Sequence, residues 1–227
     1  MKKLVLVFAL LVCPPAWSAL PDSYLAGPTW GTVVDAETNQ PMGGALVIAI
    51  WELEDGPEWN PVGILEILES VTDEKGQFRM LGWGPIPRPA NAALDSHDPL
   101  LVFYKPGYAK LGRTSARQSP PMSRLELTDR TFASNGDTTA MRKHDGSNQT
   151  STFVLIQMNA QLSEVTLGRN PCRWKEVPHT IRMLQDEYDR LRASNPKIEG
   201  LFSAKLLMGM PQCAPIDDFL TKYKEPY

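Results

Sequence analysis

A chain of 227 residues with 23 Lys+Arg against 26 Asp+Glu carries a formal net charge of −3, and it shows no basic stripe. That balance argues against nucleic acid as a partner. Twenty prolines and sixteen glycines suit a loop-rich β protein better than a helical bundle, and no segment is apolar for long enough to span a bilayer as a helix.

The chain opens with Lys2 and Lys3, an apolar run from Leu4 to Val12, and then Pro14-Pro15-Ala16-Trp17-Ser18. Charge, a short greasy core and small residues at the junction predict a secretory signal over residues 1–18, cut between Ser18 and Ala19. Leu10-Leu11-Val12-Cys13 is faintly like a lipid-attachment motif, but Val12 is large where a small residue is normal. A lipid anchor on Cys13 is the weaker reading. Loss of the signal removes two lysines, so 21 Lys+Arg face 26 Asp+Glu in the expected mature chain. The expected location is exported, periplasmic or secreted.

Residues 19–29 show no periodicity and read as a leader. A first strand is predicted at about Trp30–Asp35 and a second over Ala45–Leu53. The second strand has two apolar faces, with Ala45, Val47, Ala49 and Trp51 on one side and Leu46, Ile48 and Ile50 on the other. Both faces therefore need cover, one from a sandwich core and the other from another element. Further strands are predicted at Gly63–Thr72, Gln77–Leu81, Leu100–Tyr104, Tyr108–Arg113 and Thr152–Met158, with Leu65, Ile67 and Val71 of the third facing inward. Short connections at Thr38–Pro41, Asp73–Gly76 and Lys105–Gly107 alternate with long ones at Glu54–Pro61, Gly82–Pro99 and Thr114–Ser151. If successive strands run antiparallel, the tight turns share one end of the sandwich and the long loops the other.

Three separated motifs carry a resemblance: Gly31–Val47 (strand, turn, strand), Thr72–Phe78, and the Lys105-Pro106-Gly107-Tyr108 turn. Together they resemble the carboxypeptidase regulatory-like domain, a transthyretin-like β-sandwich, over about residues 28 to 165. The resemblance implies a mainly β, seven-stranded Greek-key sandwich, taken here as residues 19–168. Residues 169–227 form a helical C-terminal extension, in which His179–Ser194 places Ile181, Leu184, Tyr188 and Leu191 on one face. Arg182–Asp186 and Asp186–Arg190 have the spacing of helical ion pairs. Ile198–Met208 and Ile216–Tyr223 read as further short helices, and the extension is expected to dock on the uncovered face of the second strand.

Candidate chemistry is sparse. His97, His144 and His179 lie at no metal-ligand spacing from one another or from cysteine. The intradiol aromatic-ring dioxygenases share such a sandwich and hold iron with two tyrosines and two histidines. Here Ile86 stands where that family would place a tyrosine, and a single His97 replaces its His-x-His. The transthyretin-like hydroxyisourate hydrolases end in Tyr-Arg-Gly-Ser, whereas this chain ends Lys224-Glu225-Pro226-Tyr227. No catalytic residue, metal or cofactor is therefore assigned. The expected function is a non-catalytic binding or accessory scaffold at the cell envelope, with an envelope protein or extracellular ligand as partner. An enzyme with a site at the long-loop end is the alternative, and an assembly subunit using a sheet edge is a third reading. Trp59, Trp83 and Arg88, all in long loops, form the candidate binding patch, although tryptophans there can equally cap the open end of the core. Cys172 and Cys213 are the two cysteines left after signal removal, each lies next to or near a proline, and a disulfide between them is predicted.

Overall fold

A computed structural model describes residues 23–55, 60–94, 99–108, 111–113, 129–130, 135–143, 172–194, 213, 219 and 221–223. Eleven strands are present among them: β1 (Ser23–Ala26), β2 (Thr29–Asp35), β3 (Leu46–Asp55), β4 (Asn60–Val71), β5 (Gln77–Met80), β6 (Trp83–Pro87), β7 (Ala93–Leu94), β8 (Leu100–Tyr104), β9 (Leu111–Arg113), β10 (Asp129–Arg130) and β11 (Thr138–Met141). One long helix, α1, follows at Pro178–Ser194. The mainly β class with a short helical extension is thus as expected, but seven strands undercount the chain. The expected leader contains β1, the Gly82–Pro99 connection contains β6 and β7, and the Thr114–Ser151 connection contains β10 and β11. The strand expected at Thr152–Met158 and the helix at Ile198–Met208 lie outside the described residues, as do the signal segment and Cys13.

The strands form three sheets, ordered β10-β1-β6, β11-β2-β5 and β4-β3-β8-β9, with β7 added to β3. β3 is the central element. Its Ala45-side face (Val47, Ala49, Trp51) packs with Phe103 and Leu101 of β8 against Tyr24, Val33, Phe78, Met80 and Met141 from the two smaller sheets. Its other face (Leu46, Ile48, Ile50) packs with Ile67, Val102 and Tyr104 against Trp174, Val177, Ile181 and Leu184 of the extension. The result is three layers, small sheets on large sheet on helix. Each fully buried Val, Leu or Ile of β3 contributes about 1.5–3 kcal/mol relative to exposure.

One detail of β4 departs from simple alternation. Trp51 pairs with Glu66 while Glu52 pairs with Ile64, so Leu65 is an extra residue in the ladder. The bulge reverses the pleat. Ile64, Ile67 and Val71 face the extension, while Leu65 and Leu68 face the sandwich core. The expected common inner face of Leu65, Ile67 and Val71 is therefore corrected. The same bulge spaces Ile64 and Ile67, which share a face, three residues apart instead of two. A second irregularity near Leu53 lets β3 and β4 pair as far as Asp55 and Asn60, so the described residues of the connection read as long at Glu54–Pro61 are strand.

The three tight turns do share one end. Val33 N donates to Gly76 O at 2.8 Å, Lys105 Nζ donates to Gly43 O, and the Tyr108 hydroxyl donates to Asp35 Oδ2 at 2.7 Å. Tyr108 N closes the Lys105 turn at 3.0 Å, with Gly107 at φ 84°, a conformation that glycine adopts without a Cβ clash.

Polar clamps add to the apolar stripe that seats the extension. Glu69 of β4 accepts from the amides of His179 and Thr180, each at 2.8 Å, and so caps α1 from the sheet. Arg173 donates to Leu65 O at 3.0 Å and to Glu66 at 2.7 Å, and the Tyr104 hydroxyl donates to Glu187 at 3.1 Å. A disulfide joins Cys172 to Cys213. Arg182 pairs with Asp186 at 2.9 Å as expected, whereas Arg190 turns to Glu187 rather than Asp186. Of the helix expected at Ile216–Tyr223, the described residues are helical at Phe219 and form a 3-10 turn at Thr221–Tyr223.

Candidate functional site

The outer face of the β11-β2-β5 sheet carries a shallow cleft of about 450 Å³. It is built by register. Trp30 of β2 lies opposite Arg79 of β5, and Thr32 lies opposite Gln77, so these four side chains form a two-by-two array on one face. On the other side of β2, Thr138 of β11 pairs with Thr32 in parallel. Gly136, two residues earlier, meets Trp30, donating its amide to Trp30 O at 3.0 Å.

The array leaves a tryptophan in the open. Trp30 is 43% exposed, although the strand around it alternates with buried Thr29, Gly31 and Val33. Its backbone is nevertheless anchored by Asn135, whose Oδ1 accepts from Trp30 N at 2.9 Å while its Nδ2 donates to Pro28 O, two residues earlier, at 2.8 Å. Gly136 has φ 85°, and a Cβ there would sit 3.7 Å from the Trp30 indole nitrogen. Its bare backbone keeps that side of the ring open. Gly31, buried below, has no room for a side chain between Asp137 O and the Phe78 ring. Asp73 lines the cleft next to Gln77, its Oδ1 already accepting from the amides of Lys75 and Gln77.

The expected patch is not what forms this cleft. Trp83 is half-buried and packs edge-on against Trp51 at 5.3 Å between centroids, at the edge of the sandwich core. Arg88, just beyond β6, is half-buried. Trp59 and His97 lie outside the described residues. Ile86, which stands at the dioxygenase tyrosine position, pairs across the ladder with Tyr24. Among the described residues there is no cluster of three or more His, Cys, Asp or Glu able to hold a metal ion.

Trp30 was legible as a strand residue but not as a site. The available signal was parity: it shares the outward face with Thr32 while Gly31 and Val33 point in.

The perturbed titrating groups lie away from the cleft. The Tyr108 hydroxyl, with the amides of Thr38 and Glu37, holds Asp35 down at about 2. Burial pushes Glu69 and Glu66 above the ordinary carboxylate range, opposed at Glu69 by the hydrogen bonds from Thr180 and His179 and at Glu66 by Arg173. Burial, reinforced by Glu187, raises Tyr104.

No protein-family model matches the chain, and no curated protein matches it. Among solved structures it is similar to 3-chlorocatechol 1,2-dioxygenase from Rhodococcus opacus, at 17% identity and a TM-score of 0.30, over 55% of this chain and 63% of that one. Catechol 1,2-dioxygenase from an Acinetobacter species matches at 15% identity and a TM-score of 0.34, over 57% of this chain and 56% of that one. A streptococcal ancillary pilin matches at 12% identity and a TM-score of 0.25, over 52% of this chain and 30% of that one. The matches span less than two thirds of each of these proteins. At such values no activity transfers to this chain. One expectation is corrected: a sandwich of this class hosts catalytic and non-catalytic chains alike, so the fold supplies no ground for reading the chain as a non-catalytic scaffold.

Proposed function

We propose that this chain works by binding a soluble ligand on the outer face of the β11-β2-β5 sheet, with Trp30 as the platform. The observation that carries the reading is a tryptophan left 43% exposed while Asn135 and Gly136 hold its backbone rigid. A rigid aromatic presents a large contact area at small entropic cost, and Arg79, Gln77 and Thr32 beside it supply polar groups to orient what lands there. The test is a fragment screen followed by NMR, read at the Trp30 indole N–H, with Trp30→Ala as the control. Hits that shift this signal and are lost in the variant support the reading. Hits that cluster elsewhere on the molecule overturn it.

We also propose that the chain is exported, cut between Ser18 and Ala19, and that its sandwich is of the carboxypeptidase regulatory-like kind. The disulfide between Cys172 and Cys213 supports export, because such bonds persist in oxidising compartments. No described helix is long and apolar enough to cross a membrane. N-terminal sequencing of the mature protein tests the cleavage; a chain beginning at lipid-modified Cys13 overturns it.

A further inference from the structure

Resting on that reading of the cleft, we infer that its ligand is a neutral oligosaccharide, with one pyranose ring laid on Trp30 and its hydroxyls met by Arg79, Gln77 and Thr32. The argument is one of matching chemistry. A pyranose has an apolar C–H face and a rim of hydroxyls, so it needs a flat apolar platform with polar side chains at the edge. The cleft offers that combination: one open indole, an arginine directly across the ladder from it, and a Thr–Gln pair in the next row. Same-face residues along a strand lie about 7 Å apart, so a ring on the Trp30 row leaves the Thr32–Gln77 row for the unit that follows. The shallow groove continues to Asp73, which suits a chain lying along the sheet rather than a compact molecule sunk into a pocket.

Other ligands fit less well. A nucleotide also stacks on tryptophan, but its phosphates would meet the Asp73 carboxylate on a chain of net charge −3, with Arg79 the one cation lining the cleft among the described residues. A greasy peptide needs several apolar contacts, and among the described residues this face leaves one large apolar side chain exposed, Trp30. Neutral charge follows from the same pair, since Arg79 and Asp73 give the lining one cation and one anion among the described residues.

The experiment titrates the full mature chain with a β-1,4-linked glucose hexamer and a β-1,4-linked N-acetylglucosamine hexamer. Adenosine monophosphate and a leucine-rich tripeptide serve as counter-probes, and tryptophan fluorescence and the Trp30 indole N–H resonance are the readouts. Saccharide binding is expected to weaken at least tenfold in Trp30→Ala, several-fold in Gln77→Ala, and only a few-fold in Trp30→Tyr, which keeps a stacking ring. Thermal melting of each variant, unchanged from the parent, separates lost contacts from lost fold. Saccharide binding that survives Trp30→Ala overturns the inference. A counter-probe that binds at Trp30 while neither hexamer does overturns the saccharide and leaves the cleft reading standing. Silence of all four probes, together with a fragment screen that finds nothing at Trp30, overturns both.

Discussion

Glu69 and Thr180, 111 positions apart in the chain, are joined by two hydrogen bonds, from the Thr180 amide at 2.8 Å and its hydroxyl at 2.7 Å to the same carboxylate oxygen. With the His179 amide on the other oxygen, one side chain of the sheet satisfies the first turn of the helix that covers it. Sheet and helix are thereby keyed to one register, which apolar packing alone would leave loose.

Glu69→Ala should strand two helix amides and a buried hydroxyl, and so lower stability by about 2–4 kcal/mol. Thr180→Val should cost less, about 1 kcal/mol, because the amide bond survives. Urea denaturation of the three proteins measures both. A loss below about 1 kcal/mol for Glu69→Ala would show that the cap does not hold the helix to the sheet.

At the tight-turn end, Asp35 gives a pH dependence of definite sign. Its carboxyl titrates at about 2 in the folded chain against an ordinary 3.8, with the Tyr108 hydroxyl the largest cause. A folded-state value below the unfolded one means that the stabilisation is present above the unfolded value and is lost as pH falls toward the folded one. Tyr108→Phe should therefore lower the melting temperature at pH 6 and lose much of that deficit by about pH 2. A deficit that stays constant across the range would rule out Asp35 as its source.

The sequence and the folded chain agree where a single element carries its own pattern. The two apolar faces of β3 and the Ile181-Leu184-Tyr188 stripe repeat at the periods of strand and helix, so the packing of Leu46, Ile48 and Ile50 against Ile181 and Leu184 could be expected before any coordinates. Pairing decided the rest. β10 and β11 are two and four residues long and exist because β1 and β2 accept them in parallel, a long-range match that no local window reports. Leu65 changes face because of a bulge that appears only when β4 is laid against β3. Trp30 becomes a site only when Asn135 and Gly136 arrive from 105 positions away or more. Arg190 had two carboxylates within reach on its own helix and takes Glu187, which is also bonded to Tyr104.

Trp83 can be separated from Arg88 by stability. Packed edge-on against fully buried Trp51, Trp83 should cost about 3 kcal/mol when cut to alanine, whereas Arg88→Ala should fall within about 0.5 kcal/mol. Trp83→Phe should lose much less, because the buried indole N–H of Trp83 has no hydrogen-bond acceptor among the described residues and its removal forfeits none of those bonds. Thermal denaturation of the three variants decides the point. If Trp83→Ala is tolerated with no change in melting temperature, Trp83 is a surface residue and returns to the candidate patch with Arg88.

The disulfide has the largest single expected effect. Cys172 and Cys213 close a loop of 41 positions, and Cys172 immediately precedes the Arg173–Glu176 turn that leads into α1. Cys213 is fully buried beside Trp174, Ile181 and Leu184, so the bridge pins the far end of the extension into the apolar layer under the large sheet. In the chain-entropy account a loop of that size restricts the unfolded chain by about 4 kcal/mol. Cys172→Ser/Cys213→Ser should therefore melt well below the parent, and reductant should lower the parent toward the variant while leaving the variant unmoved. The sandwich core does not contain either cysteine, so its own signal, the packing of Phe78 against Phe103, should persist after the extension has loosened. Mass spectrometry of unreduced protein checks the bond directly. Two alkylatable thiols in freshly isolated monomer, or a melting temperature indifferent to reductant, would show that the extension is held by its apolar and polar contacts alone.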